Sequence, residues 1–238
     1  MSSVRILNHP HLTVVLPCYN PSPEWAQEVL KHYSVIESEI YDVDLIIVND
    51  GSTINYSLDD FRLLYDMFSD IEIISYAENK GKGHALRMGV QKAVGDYVIY
   101  TDVDFPYTHT SFLQIYNTLN TGADVAIGVR DDNSMSAIPA SRKIQSRMLQ
   151  WINKNILGLP VNDTQCGLKG FNQKGREVFL KTTINTFLFD AEFIKLAHRK
   201  HLNIQTVVVT LRAGIKLPEA KIKTIWGELK NMFTIFKL

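Results

Sequence analysis

The sequence predicts an α/β fold, a mostly parallel sheet flanked by helices, and three observations lead there. Short apolar runs alternate with longer helical patterns from residue 11 onward, and strands separated by helices pair in parallel. The run Val43–Val48 is apolar almost throughout, as a strand covered on both faces must be. Polar clusters, PCYN, NDGST and DVDF, follow three of the apolar runs, and open α/β sheets hold their ligands beyond the carboxyl ends of their strands.

Residues 11–16 (HLTVVL) read as the first strand and 23–41 as the first helix, leading into the strand 43–48. A helix over 57–68 and a strand over 71–76 repeat the unit, followed by a helix over 83–94 and a strand over 96–101. A helix near 110–119 and the strand 123–129 close the regular half. The second half is less regular. It reads as a helix near 141–157, the glycine-bearing segment DTQCGLKGF (163–171), a helix over 190–201 and a strand over 204–211. No repeat or low-complexity linker interrupts the chain, which reads as one domain over 1–217 and an amphipathic helix over 218–238.

Bulk composition narrows the function. The 238 residues are 45% hydrophobic and 21% charged, enough for one α/β domain with a sizeable core. The 25 basic and 25 acidic residues cancel, so no general attraction to polyanions is implied and nucleic acid is not an expected partner. Two cysteines, Cys18 and Cys166, make no disulfide framework, and a reducing, cytoplasmic compartment is expected. They are taken as small packing residues. The N-terminus has no signal-peptide core, and no run approaches the roughly 20 apolar residues of a membrane span.

The strand tips carry Asn20, Asp50, Asp102 and Asp104. In a twisted parallel sheet these tips lie along one edge, so the acids are expected to converge. Asp50 alone serves equally well as a turn or cap residue. The pair Asp102/Asp104 is harder to explain that way, because two carboxylates behind a buried strand repel each other and lose hydration. An acid, a hydrophobe and an acid suit a hard divalent cation, Mg²⁺ or Mn²⁺, with substrate phosphates as its remaining ligands. The stretch GKGHAL (81–86) follows the third strand and lacks the third glycine of a dinucleotide fingerprint. Lys82, just ahead of a helix N-terminus, can still approach an anion.

Taken together, PCYN, VNDGST, NKGKGHALRMG (79–89), DVD (102–104), DTQCGLKGF and FLFDAEF (187–193) resemble the family 2 glycosyltransferases of the GT-A fold. Within these, they are most similar to the polyprenyl-phosphate sugar transferases, the dolichyl-phosphate β-glucosyltransferase group above all. The resemblance implies an inverting, metal-dependent transferase that moves a sugar, by likeness glucose from UDP-glucose, onto a polyprenyl phosphate. It implies a nucleotide site at Pro17, Tyr19, Asn20, Asp50 and Lys82. Asp102 and Asp104 would hold the metal and the donor diphosphate. Arg130 matches a basic residue near the acceptor phosphate, and Asp163 an acid that acts as base or orients the acceptor. Two departures stand out: Pro21 replaces an acid common in relatives, and Pro106 replaces a polar metal contact.

A phosphate monoester is largely ionised at neutral pH, its second pKa being about 6, so the acceptor needs little help from a base. Asp163 and Asp190 therefore stay open between base, acceptor-orienting group and simple partner of an arginine. Asp190 and Glu192 also begin a helix, where acids are favoured in any case. Arg142, Lys143, Arg147, Arg212 and Lys216 are further candidates to neutralise phosphate charge. In the tail, Ile222, Ile225, Trp226, Leu229, Met232, Phe233 and Phe236 recur at helical spacing among lysines. That pattern suits either packing on protein or a peripheral seat on an anionic membrane. The alternatives are a GT-A enzyme acting on a saccharide hydroxyl, a non-catalytic sugar-nucleotide-binding module, and a nucleotidyltransferase. LPCYNPSPEW stands where the last would carry a glycine-rich loop.

Overall fold

The alternation of apolar runs is realised as one sheet. The structure, a computed structural model, describes residues 10–130, 158–161, 163–186, 188–215, 231–232, 234–236 and 238. In chain order the elements are β1 (Leu12–Cys18), α1 (Trp25–Glu39), β2 (Val43–Asp50), α2 (Leu58–Met67), β3 (Ile71–Tyr76) and α3 (Lys82–Lys92). They continue with β4 (Tyr97–Tyr100), α4 (His109–Asn120), β5 (Val125–Arg130), β6 (Lys169–Asn172), α5 (Gln173–Phe179), α6 (Phe189–Arg199) and β7 (Ile204–Val209). The strands run in the order β3-β2-β1-β4-β6-β5-β7. All neighbours are parallel except β6, which is antiparallel to both β4 and β5.

The two-residue period of a strand sends alternate side chains to opposite layers. Leu12, Val14 and Leu16 of β1, with Leu45 and Ile47 of β2, pack under α1 and α4 against Trp25, Val29, Tyr33, Phe112 and Ile115. Val15, Ile46 and Val48 face the other way, onto Leu86 and Val90 of α3. The same layer holds an aromatic cluster of Tyr100, Phe171, Phe179, Phe189 and Phe193. Ser57 caps α2 in a reciprocal capping box with Asp60, which fixes the start of that helix locally.

Several elements differ from expectation. β1 and β2 run two residues further than predicted, so PC and ND are the last rungs of strands rather than loop residues. β6 begins inside the glycine-bearing segment, and α5 falls after it, where no element was expected. Four residues, KGFN, with a lysine and a glycine inside, carry no strand pattern. Gly170 is used because a Cβ there would lie 2.8 Å from Ile99 and 2.9 Å from Leu119. β7 stops at Val209, and Leu211 instead makes an isolated antiparallel bridge with Tyr107. The helix expected over 141–157, with Arg142, Lys143 and Arg147, and most of the tail with Lys216 lie outside the described residues.

At the tail's end, Ile235 is fully buried in the α3/α5/α6 layer with Met232 packed against it. Asn231 donates to the Thr186 hydroxyl at 2.8 Å, while Phe236 is exposed. This end of the tail is thus seated on the domain. Among the described residues no helix is long and apolar enough to cross a membrane.

Gly83 couples the fold to its polar edge. Its N–H donates to the Asn185 carbonyl at 2.8 Å, and a Cβ would lie 2.4 Å from the Ile184 carbonyl oxygen. Gly83→Ala must push backbone aside and should destabilise the domain by about 1–3 kcal/mol, read as a lower urea midpoint with unchanged slope.

Candidate active site

The strand order sets β2, β1 and β4 side by side, so the motifs at their carboxyl ends share one edge. Asp50, buried at the end of β2, accepts from the N–H groups of Lys80 (2.7 Å) and Gly81 (2.9 Å) and from Asn79 Nδ2 (2.9 Å). Gly51, at φ +70°, lets residues 77–79 pass where a Cβ would lie 2.6 Å from the Asn79 nitrogen. Asp50 therefore holds the loop that leads into α3, and Lys82 is the first residue of that helix. Lys82 Nζ reaches across to an ion pair with Asp102.

Asn20 is bound into the same edge. At φ +44°, its Oδ1 accepts from the Thr53 N–H at 2.8 Å and the Ile54 N–H at 3.1 Å. Its own N–H donates to Ser52 Oγ at 2.9 Å. The tips of β1 and β2 are thereby tied together, and Tyr19 is left 53% exposed on the β1 tip, beyond the half-buried Pro17. An exposed ring on this edge offers a flat apolar face to a nucleobase.

After β4 the chain turns sharply, with the Phe105 N–H donating to the Asp102 carbonyl at 2.9 Å. Phe105 is buried and sits at φ +43°, a left-handed conformation that L side chains adopt only under constraint. The constraint comes from Arg212, whose guanidinium donates to the carbonyls of Asp104 and Phe105, each at 2.6 Å. Asp104, within this turn, is exposed. Loss of hydration against the surrounding protein and the adjacent Asp102 charge push its carboxyl above the ordinary value. A cleft of about 330 Å³ opens beside it, lined by Ser22, Pro23, Glu24, Glu28, Arg212 and Ile215. Pro106, lacking a side-chain ligand, gives its carbonyl to the Arg212 N–H at 2.9 Å.

The remaining predicted residues are brought close but engaged. Arg130, the last residue of β5, grips Asp163 through Nε (2.8 Å), Nη2 (2.8 Å) and its backbone N–H (3.1 Å). Both side chains are 11% exposed. Burial works to raise the Asp163 carboxyl, but the Arg130 guanidinium overrides it and holds it below the usual carboxylate range. Asp190, buried at the start of α6, pairs with Lys169 Nζ at 2.9 Å and accepts from the Tyr100 hydroxyl. Lys169 is fully buried on β6 and donates also to the Cys166 carbonyl. Burial works to lower Lys82, but the carboxylates of Asp102, Asp190 and Asp104 outweigh it and hold Lys82 charged. Glu192 accepts from the N–H groups of Thr183 and Ile184 at 2.8–3.0 Å, a structural role. Sequence reasoning passed over Glu28, Tyr100, His32 and His109, which carry no local motif.

The donor set suits a hard cation. Asp102 and Asp104 offer carboxylate oxygens only, and among the described residues no group of three or more His, Cys, Asp or Glu gathers as a metal cage, here or elsewhere. Mg²⁺ and Mn²⁺ are commonly held this way, by one or two carboxylates with phosphates and water completing the shell. Gly167 keeps that space open, since a Cβ there would lie 2.6 Å from Asp102 Oδ2.

Comparison with known proteins places this edge in context. The family described as Glycosyl transferase family 2 matches residues 13–179. The dolichyl-phosphate beta-glucosyltransferase of Saccharomyces cerevisiae is 26% identical over 84% of this chain, and the chain spans 66% of that protein's length. Its Dictyostelium discoideum counterpart is 23% identical, over 84% of this chain and 65% of its own length. Among solved structures, glucosyl-3-phosphoglycerate synthase of Mycobacterium tuberculosis, in complex with Mn²⁺, uridine diphosphate and glucosyl-3-phosphoglycerate, superposes with a TM-score of 0.61. It is 18% identical over 96% of this chain and 77% of its own. A mannosyltransferase of Pyrobaculum calidifontis, in complex with GDP-mannose and Mn²⁺, gives 0.61 at 17% identity over 85% of this chain and 56% of its own. These likenesses establish the predicted GT-A fold.

The Arg130–Asp163 geometry has a measurable consequence. Asp163→Asn leaves a buried guanidinium unpaired and should cost about 3 kcal/mol at neutral pH. The folded carboxyl lies below its unfolded value of about 4, so the pair's contribution is present above that pH and disappears as pH falls through the lower folded value. Urea denaturation across pH should show wild type and variant converging only in that acidic window.

Proposed function

Because the chain belongs to glycosyl transferase family 2, we propose that it is an inverting, metal-dependent enzyme that transfers a sugar from a nucleotide diphosphate sugar to a polyprenyl phosphate. The names of the curated relatives support a dolichyl-type phosphate acceptor and glucose as the sugar, and UDP-glucose is the donor favoured by resemblance. One observation carries the choice of acceptor. The carboxylates best placed by sequence to act as base, Asp163 and Asp190, are both held in ion pairs. A sugar hydroxyl would need a free base, whereas a phosphate monoester arrives already ionised.

On this reading Tyr19 and the loops tied by Asn20 and Asp50 receive the nucleotide. Asp102 and Asp104 would hold Mg²⁺ or Mn²⁺, which would offset the negative charge that grows on the departing diphosphate. Lys82, at the start of α3, would add its ammonium to the helix N-terminus in drawing the diphosphate. Arg130 is oriented by Asp163 through Nε and Nη2, leaving its other N–H groups for the acceptor phosphate. An acceptor oxygen attacks the anomeric carbon opposite the diphosphate. The new carbon–oxygen bond forms as the bond to the nucleotide breaks, inverting the configuration. Asp190 holds Lys169 in an ion pair and adds to the negative field that keeps Lys82 charged. A lipid acceptor stays in its bilayer, so the enzyme works peripherally, on the cytoplasmic face of a membrane.

The test is phase partition. The protein is incubated with Mn²⁺, labelled nucleotide sugars and a short polyprenyl phosphate, then extracted with organic solvent. Label should enter the lipid phase with UDP-glucose, and Asp102→Asn or Asp104→Asn should reduce it by about 10²-fold or more with unchanged circular dichroism. Nucleotide release without lipid label would overturn the acceptor in favour of a hydroxyl or water. Binding without turnover would leave a sugar-nucleotide-binding module.

A further inference from the structure

Behind the Asp104 turn lies a chain of hydrogen bonds that the reaction itself does not use. Glu28 and His32 stand one helical turn apart on α1, and His109 opens α4. His32 Nε2 lies 3.1 Å from Glu28 Oε2, and His32 Nδ1 lies 2.8 Å from His109 Nε2. Glu28 Oε2 also accepts from Arg212 Nη2 at 3.0 Å. The same guanidinium binds the carbonyls of Asp104 and Phe105.

Proton positions in this chain follow from chemistry. Burial opposes the charge of Glu28, but Arg212 and His32 outweigh it and hold its carboxyl below the ordinary value. An ionised carboxylate only accepts, so His32 Nε2 carries the hydrogen. Burial, reinforced by the Arg212 charge, keeps His32 and His109 neutral by lowering both imidazoles. His32 Nδ1 is then a lone pair, and His109 Nε2–H must donate to it. Every link has one direction: His109 to His32, His32 to Glu28, and Arg212 to both Glu28 and the turn. His32 is 2% exposed, and its ring packs 5.8 Å, centroid to centroid, from Phe105.

We propose that Glu28, His32 and His109 are positioning residues for the cation-binding turn, holding Arg212 at the angle that keeps Phe105 left-handed and the Asp104 carboxylate turned to its site. The inference rests on the proposed role of Asp104. The fold does not need the chain for anchorage. The turn is already joined to the segment after β7 by backbone bonds, Arg212 to Pro106 at 2.9 Å and Thr108 to Thr210 at 3.0 Å. The relay sets direction, and its loss should weaken nucleotide binding only where a cation is bound.

The test is calorimetric titration of UDP into the full chain with and without Mn²⁺. Wild type should bind UDP more tightly when Mn²⁺ is present. His109→Ala should shrink that Mn²⁺-dependent gain about fivefold, the worth of one hydrogen bond, with metal-free UDP affinity unchanged and only a modest drop in thermal midpoint. His109→Gln keeps an N–H donor for His32 Nδ1 and should restore the gain, and Glu28→Gln should lose it. Wild-type titrations from His109→Ala and Glu28→Gln would overturn the proposal, as would equal losses with and without Mn²⁺. A wild type that shows no Mn²⁺-dependent gain sinks the functional reading first, before any variant is made, and the positioning role with it.

Discussion

Two carboxylates at the end of a buried strand have to be compensated, and much of the polar architecture of this domain answers that demand. Asp102 meets Lys82, Asp190 meets Lys169, and the two lysines come from opposite sides of β4 in the sheet's connectivity: one from the helix after β3, the other from β6. Burial alone would drive Lys82 toward neutrality, and the surrounding acids reverse this. A like-charged pair so close together is eased by counter-charges within a few ångströms. The arrangement leaves Asp104 as the under-compensated member, with its carboxyl pushed up. That residual negative potential is what a divalent cation would occupy.

Placing a lysine there requires backbone to pass very close to backbone. Asp50 gathers the N–H groups of Lys80 and Gly81, and Gly81, at φ +95°, turns the chain into α3 beside the Asn185 carbonyl. Glycines in this stretch thus serve helix entry and close approach. They need not cradle a phosphate, which explains why the segment only half resembles a phosphate loop. The same economy governs the turn after β4, where Arg212 stabilises a conformation that Phe105 would not choose by itself.

Neutralisation also bears on the chemistry. A carboxylate locked to a guanidinium is a poor base, because protonating it means breaking a charge-assisted pair. The domain therefore devotes Asp163 to aiming Arg130 and Asp190 to holding Lys169. On the proposed reading, a site of oriented cations and two hard-cation ligands would bring anionic reactants together, and would suit a nucleophile that carries its own charge. The seating of Ile235 in the core ties the end of the tail to the layer that holds Lys82 and Asp190, on the same body as the active edge.

By itself the sequence determined the α/β alternation, most element positions, and the residues at the strand ends. Apolar periodicity and strand-end polarity are local properties, and residues 12–130 express both strongly. The edge positions of Pro17, Tyr19, Asn20, Asp50, Asp102 and Asp104 were legible because motifs put them at tips that any parallel sheet aligns, and that of Lys82 because its motif opens the helix after β3. Tertiary structure alone decided the antiparallel insertion of KGFN between β4 and β5, since its register comes from neighbours and its own side chains show no pattern. It decided too that Asp163 would face Arg130 and that Asp190 would face Lys169. It also joined Glu28, His32, His109 and Arg212, from three distant stretches of chain, into one line. Hydrogen-bond partners separated by 77 or 184 residues leave no periodic trace, because what selects them is the geometry of the packed layers.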